Sequence, residues 1–134
     1  RAAVFSGLAE NMIKGFGRSE PIAKALEAPS LDVVTDPEAR TFRAFAEQTK
    51  GDLKALAACM RSERAKITPA ELAQIQVPVL IVAGEADDVA GRVEPLVEAI
   101  AGAKGVVLPR RNHMNAVGDR QHKEEVIKFF NSIG

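Results

Sequence analysis

The chain has 134 residues, a length typical of one domain, and its 46% hydrophobic and 27% charged residues exclude a disordered, collagen-like or disulfide-stabilised protein. Its 18 basic and 18 acidic residues give a formal net charge of zero, so we expect no binding to nucleic acid or to a membrane surface. Cys59 is the single cysteine and cannot form a disulfide within the chain, which favours a cytoplasmic protein.

The first half of the chain predicts one strand followed by a mainly helical region. Residues 2–6 are apolar and are followed by a glycine, which is typical of a short buried strand. A short helix is expected over 21–27, and a longer one begins at Asp36, next to a proline, and breaks near Gly51. The apolar residues of this longer stretch recur at helical spacings, which indicates a buried face: Phe42, Phe45, Ala46, Leu53, Leu56, Ala57 and Met60.

The second half of the chain alternates strands with helices. The sequence Thr-Pro-Ala-Glu at 68–71 predicts a short capped helix, and the continuous aliphatic run 79–83 predicts a strand covered on both faces. A helix over 93–100, a strand over 105–109 and a final helix over about 119–132 follow. The apolar residues expected to point inward at the end of the chain are Val126, Ile127, Phe130 and Ile133. The fold class is therefore α/β, with a parallel sheet of about three strands and flanking helices.

Two loops at the carboxyl ends of neighbouring strands carry the candidate catalytic residues. In parallel sheets these loops lie on one rim, where chemistry is usually found. The loop 84–88 contains Asp87, and the loop 110–114 contains His113. A carboxylate that accepts the Nδ1 proton of a histidine leaves Nε2 free to act as a base. Asp88 is the alternative acid, because a shift of one residue in the turn would exchange the two aspartates.

These two loops, with the strands before them, resemble the carboxyl-terminal part of the α/β-hydrolase family. The stretch 78–87, Pro-Val-Leu-Ile-Val-Ala-Gly-Glu-Ala-Asp, is similar to the penultimate core strand and the G-x-x-D turn that carries the catalytic acid. The stretch 106–109 is similar to the last strand, and Asn-His-Met at 112–114 is similar to the loop with the catalytic histidine. The resemblance implies that Asp87 is the acid and His113 the base of a catalytic triad.

The resemblance also implies a domain organisation and a missing part. Residues 1–14 and 68–134 would form the hydrolase core, and residues 15–67 occupy the position of a helical cap or lid. The family places a G-x-S-x-G nucleophile motif and the oxyanion hole before this region, and neither is present here. The serines of the chain all lie outside such a motif: Ser6, Ser19, Ser30, Ser62 and Ser132. We therefore expect the carboxyl-terminal portion of a hydrolase, as a fragment, a cleavage product or one partner of a split protein.

The function implied by the resemblance is hydrolysis of a small carboxylic ester or related acyl compound, without a metal or an organic cofactor. The nucleophile, a serine or an aspartate, would come from the missing amino-terminal half, so this chain alone would be inactive. An unpaired edge at the first strand predicts association with that half or with a second copy. The alternative is a non-catalytic α/β module for binding or assembly, which the absent nucleophile favours.

Other chemically notable residues have simpler interpretations. Cys59 is expected to be a small buried hydrophobic residue, and His122 is expected to face solvent on the last helix. Arg110 and Arg111 are expected to form a solvated pair. The simpler interpretation of His113 is a surface-loop imidazole held by local hydrogen bonds.

Overall fold

The computed structural model describes residues 1–62 and 65–134. In this part of the chain no helix is long and apolar enough to cross a membrane. The expected strands and helices are all found, with ends that differ by a few residues at most. In chain order they are β1 Ala3–Ser6, α1 Asn11–Lys14, α2 Ser19–Glu27, a 3-10 turn Leu31–Val33, α3 Pro37–Gln48, α4 Leu53–Arg61, α5 Pro69–Leu72, β2 Val79–Gly84, α6 Glu94–Ala99, β3 Lys104–Leu108 and α7 Arg120–Ser132.

The chain divides into two compact units. One consists of residues 1–15 and 66–134, and the other of residues 16–65. The predicted cap, 15–67, corresponds closely to the second unit, although residues 63 and 64 lie outside the described part of the chain. A role as a cap stays a prediction.

The first unit is built on a three-strand sheet in the order β1-β2-β3. Its strands are parallel, as the alternation of strands and helices predicts. Every residue of the central strand β2 is buried, because neighbouring strands lie on both sides and helices cover both faces. This burial explains the uninterrupted aliphatic sequence of β2. The parallel register places the carboxyl ends of all three strands on one rim.

The two faces of the sheet pack against different helices, because successive side chains of a strand point to opposite sides. Ile81 of β2 belongs to the core that contains Leu96 of α6. Val82 of β2 belongs to a second core that contains Phe129 of α7. The sheet therefore separates two hydrophobic cores within one unit.

The buried face of α7 differs from the prediction. Phe129 and His122 are buried, whereas three residues predicted to be inward are exposed: Ile127, Phe130 and Ile133. Residues 122, 126 and 129 are spaced by four and three, so they share one side of the helix. Of the four residues predicted to be inward, Val126 packs against the core and the other three do not, because this segment has apolar residues on more than one face.

The second unit packs α2, α3 and α4 around a small aliphatic core made of Ile22, Ala23, Ala25, Leu26, Val34, Ala39, Ala46 and Ala57. Asp36 and Asp52 accept backbone hydrogen bonds at the starts of α3 and α4, which explains the predicted break between them. Phe45 and Leu56 are exposed, so the predicted apolar face is wrong at these two positions. Cys59, which was expected to be buried, is also exposed.

Arg43 is a buried charged residue within the helical unit formed by α2, α3 and α4. Its Nη1 donates hydrogen bonds of 2.8–2.9 Å to the carbonyl oxygens of Ala25, Leu26 and Ala28 at the end of α2, and its Nε donates to Glu47. The last carbonyl groups of a helix have no partner within the helix, and Arg43 supplies one. The side chain thereby joins α3 to the end of α2.

Candidate active site

The turn after β2 holds Asp87 in a fixed position. Its side chain is fully buried, and Oδ1 accepts hydrogen bonds from the backbone N–H groups of Val89, at 3.1 Å, and Ala90, at 2.8 Å. This is the local arrangement by which aspartate stabilises a turn through its own following amides. Asp88 is exposed, so the two adjacent aspartates, equivalent by spacing, have different environments.

The turn with Asp87 is joined to the loop after β3 by hydrogen bonds from backbone N–H groups. The N–H of Ala86 donates to the carbonyl of Arg111 at 2.9 Å, and the N–H of Arg110 donates to the Glu85 carboxylate at 2.9 Å. Gly84 permits this approach, because a Cβ there would lie 2.6 Å from the carbonyl carbon of Arg111. The two loops predicted to share a rim are therefore in direct contact.

His113 and Asp87 form a hydrogen-bonded pair. Nδ1 of His113 lies 3.1 Å from each carboxylate oxygen of Asp87 and donates its proton, since a carboxylate only accepts. The pKa of His113 is raised, chiefly by this hydrogen bond and also by the charge of Asp87, while partial burial acts in the opposite direction. With hydrogen on Nδ1, the neutral ring carries its lone pair on Nε2, the atom that can accept a proton.

Gly7, at the end of β1, provides a surface for the imidazole of His113. A Cβ on Gly7 would lie 3.1 Å from Cε1 of the ring, and its φ of +67° is unfavourable for other residues. From the sequence, Gly7 was predicted only to end the first strand. Gly7 follows a strand whose carboxyl end lies on the same rim as the two candidate catalytic loops. This position was the sequence signal that could have predicted its contact with His113.

His122 was predicted to face solvent, and this prediction is wrong. It lies on the core side of α7, where Nε2 is 2.7 Å from the hydroxyl of Ser6, and its Nδ1 is buried without a hydrogen-bond partner among the described residues. A histidine that activates a serine needs a group that orients its second nitrogen. This pair therefore lacks the acid that Asp87 provides to His113.

The predicted solvated arginine pair is also corrected. Arg110 is exposed, but Arg111 forms an ion pair of 2.5 Å with Asp119, the residue before α7, which lowers the pKa of Asp119. This contact connects the histidine loop to the start of the last helix. Among the described residues, no group of three or more His, Cys, Asp or Glu side chains is placed to hold a metal ion.

The three-strand parallel sheet, its flanking helices and the two joined strand-end loops define the carboxyl-terminal portion of an α/β-hydrolase fold. Solved structures confirm this assignment of the fold. MenH from S. aureus is 15% identical with a TM-score of 0.68, and the match covers 98% of this chain and 59% of MenH. The enol-lactonase from Burkholderia xenovorans LB400 is 18% identical with a TM-score of 0.65, and the match covers 98% of this chain and 56% of the enzyme.

A hydrolase from Pseudomonas aeruginosa PA01 is 27% identical with a TM-score of 0.56, and the match covers 95% of this chain and 54% of the hydrolase. The chain thus spans little more than half the length of these three proteins. No protein-family model matches the sequence, and no curated protein is significantly similar to it.

Proposed function

We propose that the chain supplies the acid, Asp87, and the base, His113, of a hydrolase whose nucleophile and oxyanion hole lie in an amino-terminal portion. The hydrogen bond from His113 Nδ1 to the fully buried carboxylate of Asp87 carries this proposal. It holds the imidazole in the tautomer that a general base needs, and it stabilises the imidazolium formed when Nε2 takes a proton. A loop histidine without such a partner would have neither property.

The proposed substrate is a small carboxylic ester or related acyl compound, and the proposed nucleophile is a serine. His113 takes the proton of the serine hydroxyl as the oxygen attacks the acyl carbon, and it then gives this proton to the departing alcohol. Water hydrolyses the acyl-enzyme by the same proton transfers in reverse, so no metal or organic cofactor takes part. The similarity to an enol-lactonase and to a 27% identical hydrolase supports this class of reaction.

The proposed partner is the complementary amino-terminal portion, with residues 15–67 acting as the cap. In the described part of the chain β1 pairs with β2 along one edge, and its other edge offers backbone groups to a further strand. The match leaves 41% of MenH and 44% of the enol-lactonase uncovered, which supports a further portion in the complete enzyme. A second copy of the chain is the competing occupant of this edge.

The test compares the isolated chain with the same chain joined to an amino-terminal portion that carries G-x-S-x-G. A fluorophosphonate should label the joined protein and leave the isolated chain unlabelled, and the joined protein should hydrolyse p-nitrophenyl acetate. Asp87→Asn should lower kcat by about 10⁴-fold, because the amide favours the wrong histidine tautomer. Asp88→Asn is the matched control and should retain most of the activity.

Labelling of the isolated chain would contradict the proposed division of roles. Full activity of the joined Asp87→Asn protein would exclude Asp87 as the acid. A correctly folded joined protein with no labelling and no hydrolysis would favour the non-catalytic module instead. A labelled protein that cleaves no ester would contradict the proposed substrate class.

A further inference from the structure

Asn11, the first residue of α1, lies beside the turn that carries Asp87. Its side-chain nitrogen Nδ2 donates one hydrogen bond to the carbonyl oxygen of Asp88 and another to that of Val89, each 2.9 Å long. An amide NH₂ group has two hydrogens, so both are used. Both acceptors are carbonyl oxygens, which requires that the nitrogen of the amide, and not its oxygen, faces the turn.

The two peptide groups bound by Asn11 are the same two that hold the acid. The peptide between Asp88 and Val89 presents its oxygen to Asn11 and its N–H to Oδ1 of Asp87. The next peptide presents the oxygen of Val89 to Asn11 and the N–H of Ala90 to the same Oδ1. In a trans peptide the C=O and N–H groups point in opposite directions. The turn is therefore held between the Asn11 amide on one side and the Asp87 carboxylate on the other.

Hydrogen bonds in series strengthen one another, because a carbonyl that accepts a bond polarises the N–H of its own peptide. Asn11 also ties the turn through its backbone, since its N–H donates to the carbonyl of Ala90 at 3.0 Å. The N–H of Glu10 donates to the carbonyl of Arg92 at 3.0 Å, which extends the same contact by two residues along the turn. Residues 10 and 11, which follow β1, are thus hydrogen-bonded along one side of the turn.

We propose that Asn11 is a positioning residue for the Asp87–His113 pair: it fixes the two peptide groups whose N–H donors orient the Asp87 carboxylate toward the imidazole. The importance of Asn11 for catalysis rests on the proposed function. Its effect on the hydrogen bond between Asp87 and His113 does not. Both side-chain hydrogen bonds of Asn11 go to the turn, so in this proposal it acts on the imidazole through the turn.

The test is an NMR titration of His113 in the 134-residue chain and in its Asn11→Ala variant. The pKa of His113 should fall in the variant toward about 6.5, the ordinary value for histidine, because the carboxylate is no longer held at hydrogen-bonding distance. The amide hydrogens of Val89 and Ala90 should exchange faster with solvent than in the unchanged chain.

Thr68→Ala is the matched control, since it removes the capping box of α5 in the same unit without touching the turn. It should weaken folding and leave the pKa of His113 unchanged. An unaltered His113 pKa in Asn11→Ala would overturn the proposal, and so would an equal fall in the Thr68→Ala control. The titration needs no nucleophile, so its result is independent of whether the joined protein hydrolyses esters.

Discussion

Gly84→Ala tests how closely the two loops of the site must approach. Gly84 is the last residue of β2, and an added Cβ would lie 2.6 Å from the carbonyl carbon of Arg111 and closer still to its oxygen. An ordinary contact is 3.4–4 Å, so the loops must separate by about 1 Å. The obstacle is backbone, which cannot rotate away as a side chain would.

The expected change in the free energy of unfolding is the sum of two destabilising contributions and one stabilising contribution. Overpacking costs about 1–3 kcal/mol. Separation of the loops would also break the hydrogen bond from the Ala86 N–H to the Arg111 carbonyl, which costs about 1 kcal/mol more. The reduced freedom of the unfolded chain returns about 0.4–1 kcal/mol. We therefore expect Gly84→Ala to lower the free energy of unfolding by about 2 kcal/mol.

Urea unfolding followed by circular dichroism measures this loss, and an NMR titration of the same variant measures its effect on His113. Gly118→Ala is the matched control, because no atom lies within 4 Å of a Cβ at that glycine and its φ is not positive. The control should be as stable as the unchanged chain or slightly more stable. Unchanged stability of Gly84→Ala, with an unchanged pKa of His113, would refute the reasoning about close approach.

Two further predictions concern charged groups. The pKa of His113 is raised in the folded chain, so the stabilisation from its pair with Asp87 is complete below about pH 6.5 and is lost as the pH rises through the folded-state pKa. Urea unfolding of Asp87→Asn and of the unchanged chain should therefore differ more at pH 6 than at pH 9, and a difference that grows with pH in this range would contradict the assignment. Arg43→Ala should cost about 3 kcal/mol in the same assay, because the carbonyl groups of Leu26 and Ala28 lose the Arg43 donor and that of Ala25 keeps the backbone N–H of Ala28. Lys54→Ala, at an exposed position of α4, should change the free energy of unfolding by less than about 0.5 kcal/mol, and an equal loss in both variants would contradict the role of Arg43.

Local sequence signals predicted most of the elements because those signals act over a few residues. The capping box at Thr68 and Glu71 is present, and so is the side-chain cap that Asp36 provides to α3. The continuous aliphatic sequence of β2 predicted a central strand covered on both faces. Which side of α7 is buried could not be predicted with the same success, because Val126, Phe129 and Phe130 are all apolar and only packing against the sheet selects among them.

By itself the sequence determined the α/β class, the succession of strands and helices along the chain, and the two loops in which an acid and a histidine could meet. Only the tertiary structure decided that Asp87, and not Asp88, contacts His113, since adjacent residues are equivalent by spacing and differ only in which side chain turns inward. The closeness of Gly84 to Arg111 and the two bonds from Asn11 also depend on folding. Each joins residues more than 20 positions apart, and no periodicity in a sequence records which distant segments come into contact.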